Sequence, residues 1–323
     1  MYSPIPYQEG GPLDLEVWKS YSPNLPPCIT ATISRVISMT MSVVLEVTFQ
    51  TLQGPPGHCD KPAPHTRKNE VTFEAFVRGG MMPAFLRYRK ERNETETFPV
   101  RAPEFLDEPD RAEDYEHFEC ETETYYRLAD HQGTLVPHIR AHVSLSATKL
   151  PTIIPQEVAP YFEVRGILLE RIDGYCLDDL MLGPPPPNLR TWHHIIQSAV
   201  DTAYEINKRG VIMEDCAPRN VVVDKESQTP RIVDLAQCMF REEMVSYWCQ
   251  SGWDEDEDWD PDVEYWEEVS TMSNPGAIGA VMANRIQRKM GVKMDFRYPD
   301  WNAIIAGIKL RKEEAAAGGT GNP

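Results

Sequence analysis

The sequence predicts an α+β fold, on three observations. Residues 43–49 and 164–170 are runs of β-branched and apolar residues with strand character. An amphipathic helix is written over 191–209, where Trp192, Ile195, Ile196, Ala199, Val200, Ala203 and Ile206 recur at the helical period and Gly210 is the stop. Two short strands, 221–223 and 231–233, flank a polar turn and make a β-hairpin.

The elements follow in order. Residues 1–28 are rich in Pro, Gly and Tyr and read as an irregular lead-in. The stretch 29–52 is β-prone, with its clearest strand at 43–49, and Gly54-Pro55-Pro56-Gly57 turns the chain. Residues 58–70 are polar, carry Pro62 and Pro64 and show no strand pattern. A helix is expected over 71–92, ending in Arg87, Arg89, Lys90 and Arg92, and an acidic, proline-bearing loop over 93–112. The next helix, 113–131, carries Phe118, Tyr125 and Leu128 on one side and is ended by Val136-Pro137. Strands are expected at 139–145 and 164–170, a turn at Asp173-Gly174 and a short helix at 177–182. Pro184 to Pro187 form a rigid spacer before the 191–209 helix. Residues 254–262 are an acidic run, helices return at 275–290 and 299–314, and the small, Gly-rich tail from Ala315 is expected to be disordered.

Composition bounds the function. The chain has 323 residues, 41% hydrophobic and 25% charged, which suits a globular protein with a sizeable core. No run of 18 apolar residues is present, and residues 1–11 lack the basic and apolar regions of a signal peptide, so an intracellular location, cytoplasmic or nuclear, is expected. A net charge of −18 repels nucleic acid and anionic lipid, which excludes both as expected partners. Seven cysteines at 28, 59, 120, 176, 216, 238 and 249 have no CxxC spacing, which argues against a zinc site and for reduced thiols.

The chemistry is concentrated between the 191–209 helix and Gln237. There a helix leads to a loop with Asp215, Asn220 follows five residues on, a hairpin intervenes, and Asp234 closes its second strand. The bland alternative is that Asp215 and Asn220 form turns and Asp234 caps a strand. The ordered assembly outweighs it. It resembles the catalytic loop and metal-binding segment of the protein kinase superfamily, and above all the fungal protein-kinase-like proteins related to aminoglycoside phosphotransferases, whose loop also carries Pro-Arg-Asn, here Pro218-Arg219-Asn220.

The resemblance implies a bilobal protein-kinase-like fold: a small antiparallel-sheet N-lobe with one long helix and hinge over 29–172, and a mainly helical C-lobe over 173–314. It implies ATP and Mg²⁺ as cofactors and a protein or small molecule as phosphoryl acceptor. Asp215 would orient the acceptor hydroxyl and take its proton, and Asn220 and Asp234 would supply hard oxygen ligands to Mg²⁺. The backbone from Glu170 to Ile172 would meet the adenine, with a plain buried strand as the alternative. Glu121 would pair with the nucleotide-binding lysine, Glu123 being its rival and a solvated helix face the alternative for either. Lys61 is the best candidate for that lysine, against the reading of an exposed loop lysine.

The departures bear on activity. No Gly-rich loop lies between 29 and 57, and Pro62 follows Lys61 directly. Met213 and Glu214 stand where the family has His and Arg or Gly, and Leu235-Ala236 replaces Phe-Gly. Methionine packs but does not brace a loop through polar contacts, and alanine is less free than glycine to adopt positive φ. Trp248, Trp253, Trp259 and Trp266 stand among acids after Asp234, suited to a cationic ligand or to anchoring an acidic surface loop. Two readings result: a phosphotransferase with a degenerate nucleotide-binding lobe and weak turnover, or a pseudokinase serving as a binding or scaffold module.

Overall fold

The computed structural model describes residues 8–39, 42–49, 57–62, 79–81, 110–145, 164–182, 189–255 and 259–318. The chain divides into two compact units, Met1–Glu119 with His138–Arg171, and Cys120–Pro137 with Ile172–Pro323. Residues 120–137, expected in the N-lobe, therefore pack with the helical unit. The helix expected at 71–92 and most of the loop expected at 93–112 lie outside the described residues.

The first unit is a closed antiparallel barrel. Its strands are β1 (Pro12–Ser20), β2 (Cys28–Met39), β3 (Ser42–Phe49), β4 (Gly57–Pro62), β5 (Ile139–Leu145) and β6 (Val164–Glu170), in the order β1-β2-β3-β4-β6-β5. β1 pairs with both β2 and β5, which joins the two edges and leaves no open ladder. Alternate residues face inward: Leu13 and Leu15, Ile29, Ala31 and Ile33, Leu45 and Val47, Ala141 and Val143, with Leu168, form one buried cluster.

Two strands correct the sequence reading. β1 forms within the stretch expected to be irregular, because Leu13, Leu15 and Val17 alternate with Asp14 and Glu16 and outweigh the surrounding Pro and Gly. β4 forms where no strand pattern was expected and carries Lys61, so Lys61 is a strand residue opposite Val43 rather than a loop lysine. Pro62 is tolerated because it sits at the ladder end opposite Ser42, while β6 pairs only with Gly57, His58 and Cys59.

On the outer face of β5, His142 is 1% exposed under Trp18, Tyr21 and Phe118, whose ring centroids lie 4.8, 5.4 and 5.6 Å away. Among the described residues neither of its ring nitrogens has a hydrogen-bond partner. Burial, and secondarily the Lys19 charge, lowers its pKa from 6.5 to about 4. The folded state thus favours neutral imidazole, and below pH 6.5 the unfolded chain binds the proton more tightly. Stability is expected to fall as pH drops from about 6.5 to about 4. Chemical denaturation across that range checks this: His142→Phe should flatten the decline, and an unchanged slope would contradict it.

The second unit contains the later part of α1 (Asp110–Arg127), then β7 (Gly174–Cys176), α2 (Leu189–Lys208), β8 (Val211–Met213), β9 (Val221–Asp224), β10 (Pro230–Ile232) and β11 (Cys238–Phe240). The helices α3 (Arg241–Gln250), α4 (Pro261–Met272), α5 (Asn274–Met290) and α6 (Trp301–Gly318) follow. α2 buries the apolar stripe read from its sequence, Trp192 through Ile206. It packs on α5, where Gly279 permits close approach, since a Cβ there would lie 2.8 Å from Val200 Cγ2. β9 pairs with β10 as the expected hairpin and with β7 on its other side.

The acidic run at 254–262 ends in a helix start. The Asp260 carboxylate accepts from the N–H groups of Asp262 (2.7 Å) and Val263 (3.1 Å) with Pro261 behind it, an N-cap that opens α4. Three of the four tryptophans pack on other rings: Trp248 stacks on Trp253 with centroids 6.0 Å apart, and Trp266 meets Tyr204 and Trp301 at 6.1 Å each. α6 continues to Gly318, past the Ala315 boundary of the expected disordered tail, because Ala315 to Ala317 are strong helix formers. Among the described residues no helix is long and apolar enough to cross a membrane.

Candidate functional site

The candidate site is built on the loop between β8 and β9. Gly210 ends α2 with a φ of 76°, a left-handed turn that glycine adopts without strain, and β8 follows at once. β8 pairs with β11 in the register Met213 to Cys238, so the strand entering the loop lies beside the strand that follows Asp234. Glu214 N–H donates to the Gln237 carbonyl at 3.0 Å and extends this pairing.

Asp215 and Asn220 are joined by side-chain bonds, and Asp234 follows a residue whose main chain is bonded to Asn220. Asn220 Nδ2 donates to the Asp215 carbonyl at 2.8 Å and to Asp215 Oδ2 at 3.1 Å. The turn Pro218–Asn220 places Asn220, which is buried, for this contact. Val233 N–H donates to the Asn220 carbonyl at 2.9 Å, which sets Asp234, the next residue, beside Asn220. Asp234 has a φ of 62°, a left-handed conformation uncommon for a residue with a Cβ, of the kind that clusters at functional sites. Asp215 also forms an ion pair with Arg219.

The electrostatics are acidic at the loop. Burial, with the Asp215 charge as the second cause, pushes the Cys216 thiol up to about 12, so Cys216 is an inert thiol. Asp215 and Asp234 offer carboxylate oxygens, and Asn220, its amide nitrogen committed to Asp215, offers the amide oxygen. These are hard donors of the kind Mg²⁺ takes together with phosphate oxygens, so the donor set fits that ion. Among the described residues no three His, Cys, Asp or Glu side chains gather as a metal-binding group by themselves. A metal here would need Asn220 or a ligand's own oxygens to complete its shell.

The loop is braced by residues the sequence reading missed. Asn274, 1% exposed at the start of α5, donates from Nδ2 to the Met213 carbonyl at 2.7 Å and accepts at Oδ1 from Met213 N–H at 3.0 Å. The same Oδ1 accepts from Asn207 Nδ2 at 2.9 Å, and Asn207 Nδ2 also donates to the Val211 carbonyl at 2.9 Å. Tyr265 Oη donates to the Asn207 carbonyl at 2.6 Å. Met213 does not brace the loop through its side chain, but its main chain is held from both sides by Asn274. Ala236 is no obstacle either: among the described non-glycine residues only Gln228, Asp234 and Ser273 have positive φ. Leu235 is buried, as a packing residue in that place should be.

The other candidates divide between the units. Glu121 on α1 is 6% exposed, whereas Glu119 is exposed and Glu123 forms a 2.7 Å ion pair with Arg127 four residues on. Glu121, and not its rival, is therefore the carboxylate turned into the second unit. Tyr125 and Leu128, on the same helix face, are buried. Ile172 belongs to this unit and is half-buried.

Lys61 and Glu170 belong to the barrel. The Glu170 N–H donates to the His138 carbonyl at 2.9 Å and its carboxylate pairs with Arg140 at 3.5 Å, so this N–H is already engaged within the barrel.

No family model matches the sequence, and no curated protein matches it. Among solved structures, the chain is similar in part to the kinase domain of PknI from Mycobacterium tuberculosis. A double mutant of that domain aligns at 13% identity with a TM-score of 0.36, covering 64% of this chain. A single mutant aligns at 12% identity with a TM-score of 0.35, again over 64% of this chain. In both cases the chain spans 60% of the length of the matched structure.

Proposed function

We propose that the second unit is a protein-kinase-like phosphoryl-transfer centre that uses ATP and Mg²⁺. The observation that carries this reading is the joining of Asp215, Asn220 and Asp234 through the Asn220 side chain and the Val233–Asn220 main-chain bond. In this reading Asp215 orients the acceptor hydroxyl and receives its proton, while Asn220 and Asp234 hold the metal. Bound Mg²⁺ supplies neutralisation of the charge on the transferring group. The Asn220 bond to Oδ2 fixes the orientation of the Asp215 carboxylate, which a base must keep relative to its hydroxyl. Glu121 in the second unit and Lys61 in the first are each proposed to serve nucleotide binding. On the adenine side Ile172 is the stronger choice, since the Glu170 N–H is engaged. A net charge of −18 disfavours nucleic acid and membrane surfaces as acceptors and favours a protein or small molecule inside the cell.

One observation favours a second reading, a pseudokinase that binds nucleotide without turning it over. The Arg219 guanidinium sits on the Asp215 carboxylate and competes with an acceptor hydroxyl for it. A radiolabelled-ATP assay that includes autophosphorylation separates the two: transfer that requires Asp215 supports the enzyme, and nucleotide binding with no transfer supports the binding module.

A further inference from the structure

Two cysteines meet in the second unit, apart from the Asp215 loop. Cys120, on α1, and Cys238, the first residue of β11, are 118 residues apart in sequence and touch within the second unit. Cys120 Sγ accepts from the Cys238 N–H at 3.3 Å and donates to the Cys238 carbonyl at 3.3 Å. Cys120 Sγ thus lies against the Cys238 main chain, the closeness that a disulfide between the two residues requires. Both residues are partly exposed.

The two thiols are also unequal. Hydrogen bonding from the Cys238 thiol, joined by its N–H and by Thr124, holds Cys120 below the ordinary thiol range against the effect of burial. The same hydrogen bond, with burial, holds Cys238 well above it. One partner is thus the readier thiolate and the other the retained thiol, the division of labour of an attacking and a resolving cysteine. Cys216 differs, because burial raises it and its Sγ donates to the Asn274 carbonyl.

We infer that Cys120 and Cys238 form a reversible disulfide when the protein meets hydrogen peroxide, with Cys120 attacking and Cys238 resolving. The Cys120 thiolate attacks one peroxide oxygen, the O–O bond breaks, and the hydroxide released takes up a proton to become water. Cys120 is then a sulfenic acid. The Cys238 sulfur attacks the Cys120 sulfur, the S–S bond forms, the S–OH bond breaks, and the hydroxyl leaves as water with the Cys238 proton. Two thiols are oxidised and one peroxide is reduced to two waters. The crosslink joins the helix residue next to Glu121 to the strand that begins four residues after Asp234. It therefore fixes two segments of the candidate site to each other, whatever reaction the site performs.

The test is peptide mapping of the full chain by mass spectrometry. The protein is treated with hydrogen peroxide, free thiols are blocked with N-ethylmaleimide in denaturant, and digests are compared with and without dithiothreitol. The expected result is a Cys120–Cys238 linked peptide, loss of two of the seven thiols, and recovery of both on reduction. Cys238→Ser should stop the reaction at a sulfenic acid on Cys120 that dimedone traps, and Cys249→Ser should behave as wild type. Wild-type protein in which Cys120 and Cys238 both remain alkylatable while other cysteines oxidise would overturn the inference. So would a disulfide linking either one to a different cysteine.

Discussion

Replacing Asp215 with Asn is expected to reduce phosphoryl transfer to background, a loss of roughly 10²–10⁴-fold, the range general-base catalysis contributes. Asparagine keeps the size of the side chain, and the Asn220 bond to the residue 215 carbonyl, 2.8 Å in the wild type, survives because it is a main-chain contact. The change removes a carboxylate that is one-third exposed and paired with Arg219, so stability should move by no more than about 1 kcal/mol. A rate that collapses at an unchanged melting temperature would mark Asp215 as chemical rather than structural. Transfer that persists at the wild-type rate would place the reaction elsewhere. Lys61→Ala should matter less: Lys61 lies next to Pro62 at the end of β4, beyond the residues that pair with β6.

The largest effect on stability is expected at Asn274. Asn274→Leu keeps the number of side-chain heavy atoms but strands the Met213 N–H, the Met213 carbonyl and one Asn207 bond in a fully buried setting. Each orphaned buried group costs about 1–3 kcal/mol, and shared networks do not sum fully, so a loss of about 3–5 kcal/mol is expected. Urea unfolding measures it through the midpoint at an unchanged slope. A loss below about 1 kcal/mol would mean that the Asn207–Asn274 network does not hold β8. Because Asn274 grips the strand that enters the Asp215 loop, any transfer activity should fall in this variant even where it remains folded.

Much of the second unit was legible in the sequence, because its signals are local. α2 follows a 3.6-residue apolar period, and the hairpin β9–β10 brackets a polar turn. Glu121 could be preferred over Glu123 because it shares a helix face with Tyr125 and Leu128, and burial of all three agrees.

What was hidden depended on distant partners. Asn274 next to Pro275 reads only as a helix start, and nothing local reveals that its amide reaches Met213, 61 residues away in sequence. The closing of the barrel rests on β1 pairing with β5 over a separation of more than a hundred residues. β4 was obscured by Pro62, whose harmless place at a ladder end is a property of the neighbouring strand rather than of its own sequence. The contact of Cys120 with Cys238 is likewise a matter of how α1 packs within the second unit.

The most direct test of the Asp215–Asn220–Asp234 site is the melting temperature with ATP, with and without Mg²⁺, for wild type and Asp234→Asn. At a nucleotide concentration 100 times the dissociation constant, binding to the folded state adds about 2.7 kcal/mol, which shifts the midpoint by several degrees. The expected result is a shift in wild type that requires Mg²⁺ and is lost in Asp234→Asn. No shift in either protein, or a shift that ignores both the metal and the substitution, would contradict it.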